Sequence, residues 1–520
     1  MRMIGGLLLT ALMLAGCGGS STPPPASWQS GVYQPAANFA AQCVAPRTGT
    51  DPATGKPYPD RAGTLLDENN WLRSWTNDLY FWYAEVTDQD PALFATTDSY
   101  FGVLKTTATT SGGKPKDRFH FSYATAKWES LSNTSVQVGY GAKWVIVSDQ
   151  PPRQIVVAFT EPGSPAVAAT ANLARGAQVL SVDGVDVVND NTASGVDTIN
   201  AGLFPIAANE SHVFQILDLG ATTSRTVTLV SADVTSHPVQ NVSTIATTNG
   251  LVGYMLFNDH LATSEAALVV AFTTLQAAGV RDLVLDIRYN GGGYLDIASE
   301  VAYMIAGASA TSGATFELQQ FNAKHTSVDP VTGQTIAPVP FHSTTQGFST
   351  TAGQPLPTLN LLRVFVLTGP NTCSASESII NSLRGIGVPV VQIGSTTCGK
   401  PYGFYPQDNC GSTYFSIQFR GLNALNFGDY ADGFSPANAP VLTNAVVPGC
   451  AVADDFTHAL GDPAEARLAA ALGYRTSTSC PPATGLARLA TASNLSAVDG
   501  LLPASPMRQL RILRSLRSAP

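Results

Sequence analysis

The spacing of apolar residues changes twice along this chain, and each change marks a different kind of element. From about residue 36 to 128 apolar positions recur at three- and four-residue intervals. In ENNWLRSWTNDLYFWYAEV, residues Trp71, Leu72, Trp75, Leu79 and Trp82 fall on one face of an amphipathic helix. DSYFGVLKTTA continues that style and SGGKPKDRFH reads as a loop, so a mostly helical segment with a core of aromatics is expected. From about 129 to 235 the pattern becomes one of short alternating strands with Gly and Asp turns. SVQVGYGAKWVIV reads as a strand, a turn at Gly139, Tyr140 and Gly141, and a second strand. GSPAVAATANLARGAQVLSVDGVDV reads as a small-residue helix, a strand, a turn at Asp183-Gly184 and a strand. From about 245 to 470 apolar strands alternate with helical stretches, the pattern of an α/β layer.

These regimes divide the chain into a helical segment (36–128), a β-rich domain (129–235), an α/β core (236–475) and an Ala/Ser/Pro-rich tail (476–520). The fold class expected is multidomain α+β. In the tail, Arg508, Arg511, Arg514 and Arg517 are spaced as one face of a short, solvated helix.

The first seventeen residues, MRMIGGLLLTALMLAGC, change the picture of where the chain resides. Arg2 supplies a minimal positive region, and Ile4 to Leu14 an apolar stretch too short to span a bilayer as a mature helix. Leu14-Ala15-Gly16-Cys17 resembles the bacterial lipobox, which implies lipidation at Cys17, with residues 18–35 as a flexible tether. That implies a lipid anchor in a bacterial envelope, and Gly18 after the cysteine suggests the outer membrane facing the periplasm. Six further cysteines in an exported chain favour disulfides. Cys450 and Cys480 enclose the helix DPAEARLAAAL and are expected to pair; Cys398 is expected to pair with Cys410 or Cys373.

Composition mainly excludes. A net charge of −9, with no basic patch beyond the four arginines of the tail, argues against a nucleic-acid partner. Scattered histidines and the absence of C-x-x-C and H-E-x-x-H leave metal chemistry without support, and no cofactor is expected.

The chemistry concentrates in NTCSASESIINSLRGIGVPVVQIGSTTCGK. Leu362 to Thr368 reads as a strand and Gly369-Pro370-Asn371 as a turn. Ser376, Ile379, Ile380 and Leu383 then follow helical spacing to Gly385. Ser374 therefore stands at a strand-to-helix elbow, where a helix N-terminus favours developing negative charge. The same Ser-x-x-Glu is also a capping box, with Glu377 reaching back. Two features favour chemistry over capping. LDIRYNGGG ends a strand in three glycines that let backbone N–H groups approach a reacting carbonyl, and a second strand, VPVVQIG, leads to Lys400.

Together these motifs resemble the C-terminal processing (tail-specific) serine peptidases. The resemblance implies a helical N-terminal segment, a PDZ-like domain whose carboxylate loop is Gly139, Tyr140 and Gly141, and a ClpP/crotonase-like peptidase core. It further implies Ser374 as nucleophile, Lys400 as general base, and the N–H groups of Ala375 and Gly292 as the oxyanion hole. The partners implied are polypeptides with apolar C-termini. The chain departs from the family at Pro401 and at Phe404, which stands where a glutamine is usual; Gln407 is a candidate substitute. A lysine base requires its pKa to fall from ~10.4 to ~7.5, about 4 kcal/mol of desolvation, and no acidic residue lies within five positions of Lys400. Two other readings remain: a tricorn-like Ser-His-Glu site with His120 as base, and a non-catalytic peptide-binding lipoprotein.

Overall fold

The computed structural model describes residues 28–52 and 54–482, together with the backbone of residues 511–512. Cys17, the first part of the tether, Arg508, Arg514 and Arg517 lie outside the described residues. Arg511, expected on a helix, instead forms with Ile512 a two-residue strand parallel to Gly293–Tyr294.

The N-terminal segment is less helical than its periodicity suggests. Its one long helix, α1 (Leu65–Leu79), begins with a capping box between Thr64 and Asp67. It buries Trp71, Leu72, Trp75 and Leu79, but Trp82 is not on it. The chain turns extended at Tyr80 because the Phe81 N–H bonds the carbonyl of Ile417, and Trp82 then packs edge-on against Tyr402. Further along, Phe121–Ala124 pairs as a strand with Ser412–Phe415, and a Cys43–Cys410 disulfide adds a second tie to the core. Tertiary pairing has overridden local pattern here.

The β-rich unit is an antiparallel sheet of β1 (Ala142–Ser148), β2 (Gln154–Thr160), β3 (Gln178–Val182), β4 (Ser211–Leu217) and β5 (Arg225–Val230), in the order β5-β4-β3-β2-β1. The expected helix in GSPAVAATANLARGAQ is absent, and only a turn at Pro165–Val167 forms. The unit's helix is α2 (Ala193–Leu203), capped by Thr192, which presents Val196, Ile199 and Leu203 to the interior.

The core is a six-stranded sheet of β6 (Val239–Ile245), β7 (Val252–Phe257), β8 (Asp282–Asp286), β9 (Val364–Thr368), β10 (Val390–Gly394) and β11 (Gly449–Ala451), in sequence order. Only β6 runs antiparallel to its neighbour. β7 to β10 are buried at every position, as strands covered on both faces must be. Helices α3 (Ser264–Ala278), α4 (Leu295–Ala306) and α5 (Ala375–Gly385) cover one face through Phe272, Ile305 and Ile380. On the other, Leu468 and Ala471 of α6 (Ala466–Ser477) and Phe159 of the β-rich unit meet Tyr254 and Phe365. Cys450 of β11 is bonded to Cys480, just beyond α6, which is the pairing expected.

Beneath that second face lies a charge network. The Arg288 guanidinium is fully buried and bonds Asp286, Asp454 and Glu465 at 2.7–3.0 Å. Arg175 of the β-rich unit reaches the same Asp454 at 2.7 Å and the Tyr289 hydroxyl at 2.8 Å. Buried ions hold only when paired, so removing one partner leaves a charge stranded. Glu465→Gln is expected to destabilise the chain by about 3 kcal/mol, read as a lower urea midpoint, because Arg288 loses a bidentate carboxylate.

Candidate active site

The strand-to-helix elbow is built by β9 and α5. At its turn the Thr372 hydroxyl bonds the Ile287 carbonyl at 2.8 Å, and a Cβ at Gly369 would lie 2.6 Å from the Arg288 carbonyl oxygen. Only glycine lets β9 and the 287–290 loop approach this closely. Ser374 follows with φ 61° and ψ −116°, a conformation that costs a non-glycine residue about 1–3 kcal/mol. Strain of this kind throws a side chain out over the sheet edge, as at a nucleophile elbow.

The three serines of the motif divide cleanly. Ser376 donates its hydroxyl to the Asn290 carbonyl (3.1 Å) and Ser378 to the Ser374 carbonyl (3.3 Å). The Ser374 Oγ is buried and has no hydrogen-bond partner among the described residues. The capping reading is half right. Glu377 does reach back to accept the Ser374 N–H at 2.9 Å, but the Ser374 hydroxyl makes no capping bond.

Lys400 arrives because β10 pairs in parallel with β9, from Val364↔Val390 to Thr368↔Gly394, and returns the chain to the same edge. One carboxylate joins the two loops. Glu377 is fully buried; its Oε2 accepts the N–H of Ser374 and of Lys400 (2.8 Å), and its Oε1 accepts the N–H of Gly399 (2.9 Å) and the Thr397 hydroxyl. A disulfide between Cys373 and Cys398 links the same two loops. Burial raises the Glu377 pKa, and the bonds it accepts oppose the rise.

The Lys400 ammonium lies 4.8 Å from the ring centroid of Phe119 and 4.6 Å from that of Phe404. Burial pushes its pKa down to about 7, with Asp117 and Glu377 opposing and Arg118 assisting. The sequence shows no acid near Lys400, yet the fold brings two from distant segments; desolvation still prevails. Phe404 thus supplies an apolar wall where the family has an amide. Gln407 does not replace it, since its side chain donates to the Asp408 carbonyl on a surface strand.

The glycine loop corrects one expectation. Asn290 Oδ1 accepts the Gly292 N–H at 2.9 Å, so the structure does not present that donor to Ser374. The Asn290 Nδ2 donates to the Phe257 carbonyl, which pins the loop from the other side. Ala375, as the first residue of α5, carries one of the N–H groups a helix leaves without an internal acceptor. His260, overlooked in the sequence, packs against this loop, with Nδ1 3.0 Å from Asn290 Oδ1 and burial lowering its pKa to about 3. The signal was its place directly after an apolar strand, where loops at the carboxyl edge of a parallel sheet build sites.

His120 is not brought to Ser374 by any hydrogen bond. Its Nε2 lies 2.9 Å from the Phe101 carbonyl, its ring stacks on Phe101 at 3.7 Å, and burial lowers its pKa to about 4. In the β-rich unit the Tyr140 side chain is core, its hydroxyl bonded to the Gly202 carbonyl at 2.9 Å. Gly139 is extended in a strand pairing with Ala232, and Gly141 has φ +74°.

Comparison with known proteins finds relatives over two stretches of the chain. Residues 251–404, which include Ser374 and Lys400, match Peptidase family S41, and residues 67–123 match the Peptidase S41 N-terminal domain. A C-terminal processing peptidase, chloroplastic, from Tetradesmus obliquus is 32% identical over 164 residues, 29% of this chain. The chain spans about a third (34%) of the length of that curated relative. A putative S41 protease from Bacteroides fragilis shares the fold at a TM-score of 0.58, with 22% identity over 81% of this chain and 100% of the other. A photosystem II D1 C-terminal processing protease aligns at a TM-score of 0.41, with 20% identity over 78% of this chain and 100% of the other. With both domain matches in order, and Ser374 and Lys400 inside the larger one, this chain carries a peptidase domain of family S41, a family of serine-type peptidases, and resembles the C-terminal processing peptidases within it.

Proposed function

We propose that this chain is an envelope-anchored endopeptidase that captures protein C-terminal tails and cleaves peptide bonds with a Ser374/Lys400 pair. The observation that carries the reading is the shared carboxylate: Glu377 holds the backbone of both residues, while burial lowers the Lys400 pKa to about 7. A neutral amine accepts the Ser374 proton as the hydroxyl attacks the substrate carbonyl, then returns it to the leaving amine. Water repeats the cycle on the acyl-enzyme, with Lys400 again the base. The Ala375 N–H stabilises the oxyanion, and a Gly292 contribution requires its N–H to exchange Asn290 for the substrate oxygen.

Several features favour tail capture by a PDZ-like unit. β1 is an edge strand, open to pairing with an added peptide, and the loop before it contains Gly141 at positive φ. A cleft of about 460 Å³, bordered by Trp144, Ile146 and Phe204, runs to Pro370 and Asn371 beside the elbow. Tyr140 contributes only its backbone to such a carboxylate loop, since its side chain is core.

Ser374→Ala is expected to abolish cleavage of a tailed model substrate, and Lys400→Arg to reduce it at least ~10²-fold, because guanidinium keeps its proton. His120→Ala is expected to retain activity; loss there with a working Lys400→Arg overturns the assignment in favour of a histidine base. The logarithm of kcat/KM should rise with pH and level off above about pH 7, where Lys400 becomes neutral. A depressed lysine also destabilises the fold. The penalty is full below about pH 7, on the order of 5 kcal/mol, and fades as pH approaches the ordinary lysine range. Lys400→Met should therefore raise the melting temperature more at pH 6 than at pH 9 while eliminating activity.

Tail capture is tested by the substrate rather than by the loop. A Cβ at Gly141 would lie 2.2 Å from the Ser164 Cβ, so a bulky residue there would disturb folding. Amidating the substrate C-terminus removes the charge the loop would bind and is expected to raise KM about tenfold with kcat unchanged. Equal turnover of free-acid and amidated peptides would exclude the unit from recognition. The lipid anchor is tested by Cys17→Ser, which should release the chain from the membrane fraction or leave it unprocessed.

A further inference from the structure

The Cys373–Cys398 bond has no part in the proton transfers, yet it touches both ends of them. Cys373 directly precedes the nucleophile and Cys398 stands two residues before the base. Their Cα atoms are 5.1 Å apart. Neither residue belongs to a helix or strand, so no ladder holds the two loops in register. Besides the disulfide, they are joined by a backbone bond from the Cys398 N–H to the Thr372 carbonyl (3.0 Å) and by the Glu377 carboxylate.

We propose that the Cys373–Cys398 disulfide is a positioning clamp for the Ser374/Lys400 pair. The oxidised chain holds the reactive geometry and the reduced chain loosens it. This rests on the reading of Ser374 and Lys400 as the catalytic pair.

Two observations carry the proposal. The first is backbone strain: a residue at φ 61° and ψ −116° stays there only when both flanks are fixed. Downstream of Ser374 the helix and Glu377 provide this. Upstream, the Cys373 N–H bonds the Asn290 carbonyl at 3.1 Å, and the disulfide immobilises its side chain.

The second is the chemistry at Glu377. The Cys398 sulfur lies 3.5 Å from Glu377 Oε2, the oxygen that accepts both the Ser374 and Lys400 N–H groups. In the disulfide that sulfur carries no proton and leaves the oxygen to the two backbone donors. A dithiol reductant would supply two electrons and two protons, cleaving the S–S bond to two thiols and closing to its own disulfide. Both sulfurs would remain protonated, since a thiolate beside a buried carboxylate is disfavoured. The new Cys398 S–H would then compete for Glu377 Oε2. Cys398 is partly exposed, so reductant has a route in, whereas Cys373 is fully buried.

The test uses the full chain with two readouts: phosphonylation of Ser374 by a fluorophosphonate probe, and turnover of a tailed peptide across pH. Cys373→Ala/Cys398→Ala is expected to retain its circular dichroism spectrum. Its labelling rate and kcat should fall ~10- to 100-fold with KM within about twofold, because a misplacement near 1 Å costs that much. The pH midpoint of kcat should also move upward as the Lys400 amine leaves its apolar seat. Cys43→Ala/Cys410→Ala, which removes a remote disulfide, is expected to lower only the melting temperature. Dithiothreitol on folded wild type should reproduce the loss, and reoxidation should reverse it; this arm decides the matter if the double variant does not fold. A folded Cys373→Ala/Cys398→Ala chain with wild-type labelling, kcat and pH midpoint would overturn the clamp. Oxidised wild type that labels at Ser374 but cleaves no peptide would instead sink the endopeptidase reading, with the clamp still judged on the labelling rate. Wild type that neither labels nor cleaves would overturn both.

Discussion

A buried carboxylate organises this site. Glu377 sits in the first turn of α5 with no solvent contact, and it receives N–H groups from Ser374, Gly399 and Lys400 and a hydroxyl from Thr397. An unpaired carboxylate at that depth would be prohibitive, so the two loops are drawn to it. The elbow conformation of Ser374 and the approach of the Lys400 loop follow from the same demand. What looks in isolation like half of a helix cap is the element that joins the Ser374 loop to the Lys400 loop.

The surroundings of Lys400 oppose its charge. Phe119 and Phe404 enclose an amine that would otherwise stay charged, and Arg118 adds a like charge. Asp117 and Glu377 pull the other way. Glu377 has already given its oxygens to backbone donors, which limits how well it stabilises an ammonium. Desolvation wins that contest and lowers the Lys400 pKa to about 7.

The same principle works at larger scale beneath the sheet. Arg288, Asp286, Asp454 and Glu465 form a buried set to which Arg175 of the β-rich unit is added. Each ion is held because its partners are present, so the network fixes how the β-rich unit meets the core. It also explains why Asp286 and Arg288 precede the glycine loop: they anchor the end of β8, and Asn290 then folds the loop onto Phe257 and Gly292.

Local pattern determined much of this protein. The α/β alternation, the elbow at Ser374, the return of a second strand to Lys400 and the Cys450–Cys480 pair were all legible, because each depends on periodicity or on neighbours close in sequence. Other features depend on residues that meet only in space. α1 stops before Trp82 because Ile417 captures the Phe81 N–H, and Phe121–Ala124 becomes a strand because Ser412–Phe415 offers a partner. Gly292 fits the donor pattern by motif, yet the Asn290 side chain takes its N–H. The acids near Lys400 and the Phe119 ring beside it come from segments that sequence spacing keeps apart, whereas Phe404 is only four residues away. Sequence carried the identity and order of the motif residues; tertiary structure decided their burial and their bonds, since desolvation and hydrogen bonding are set by whatever the fold places alongside.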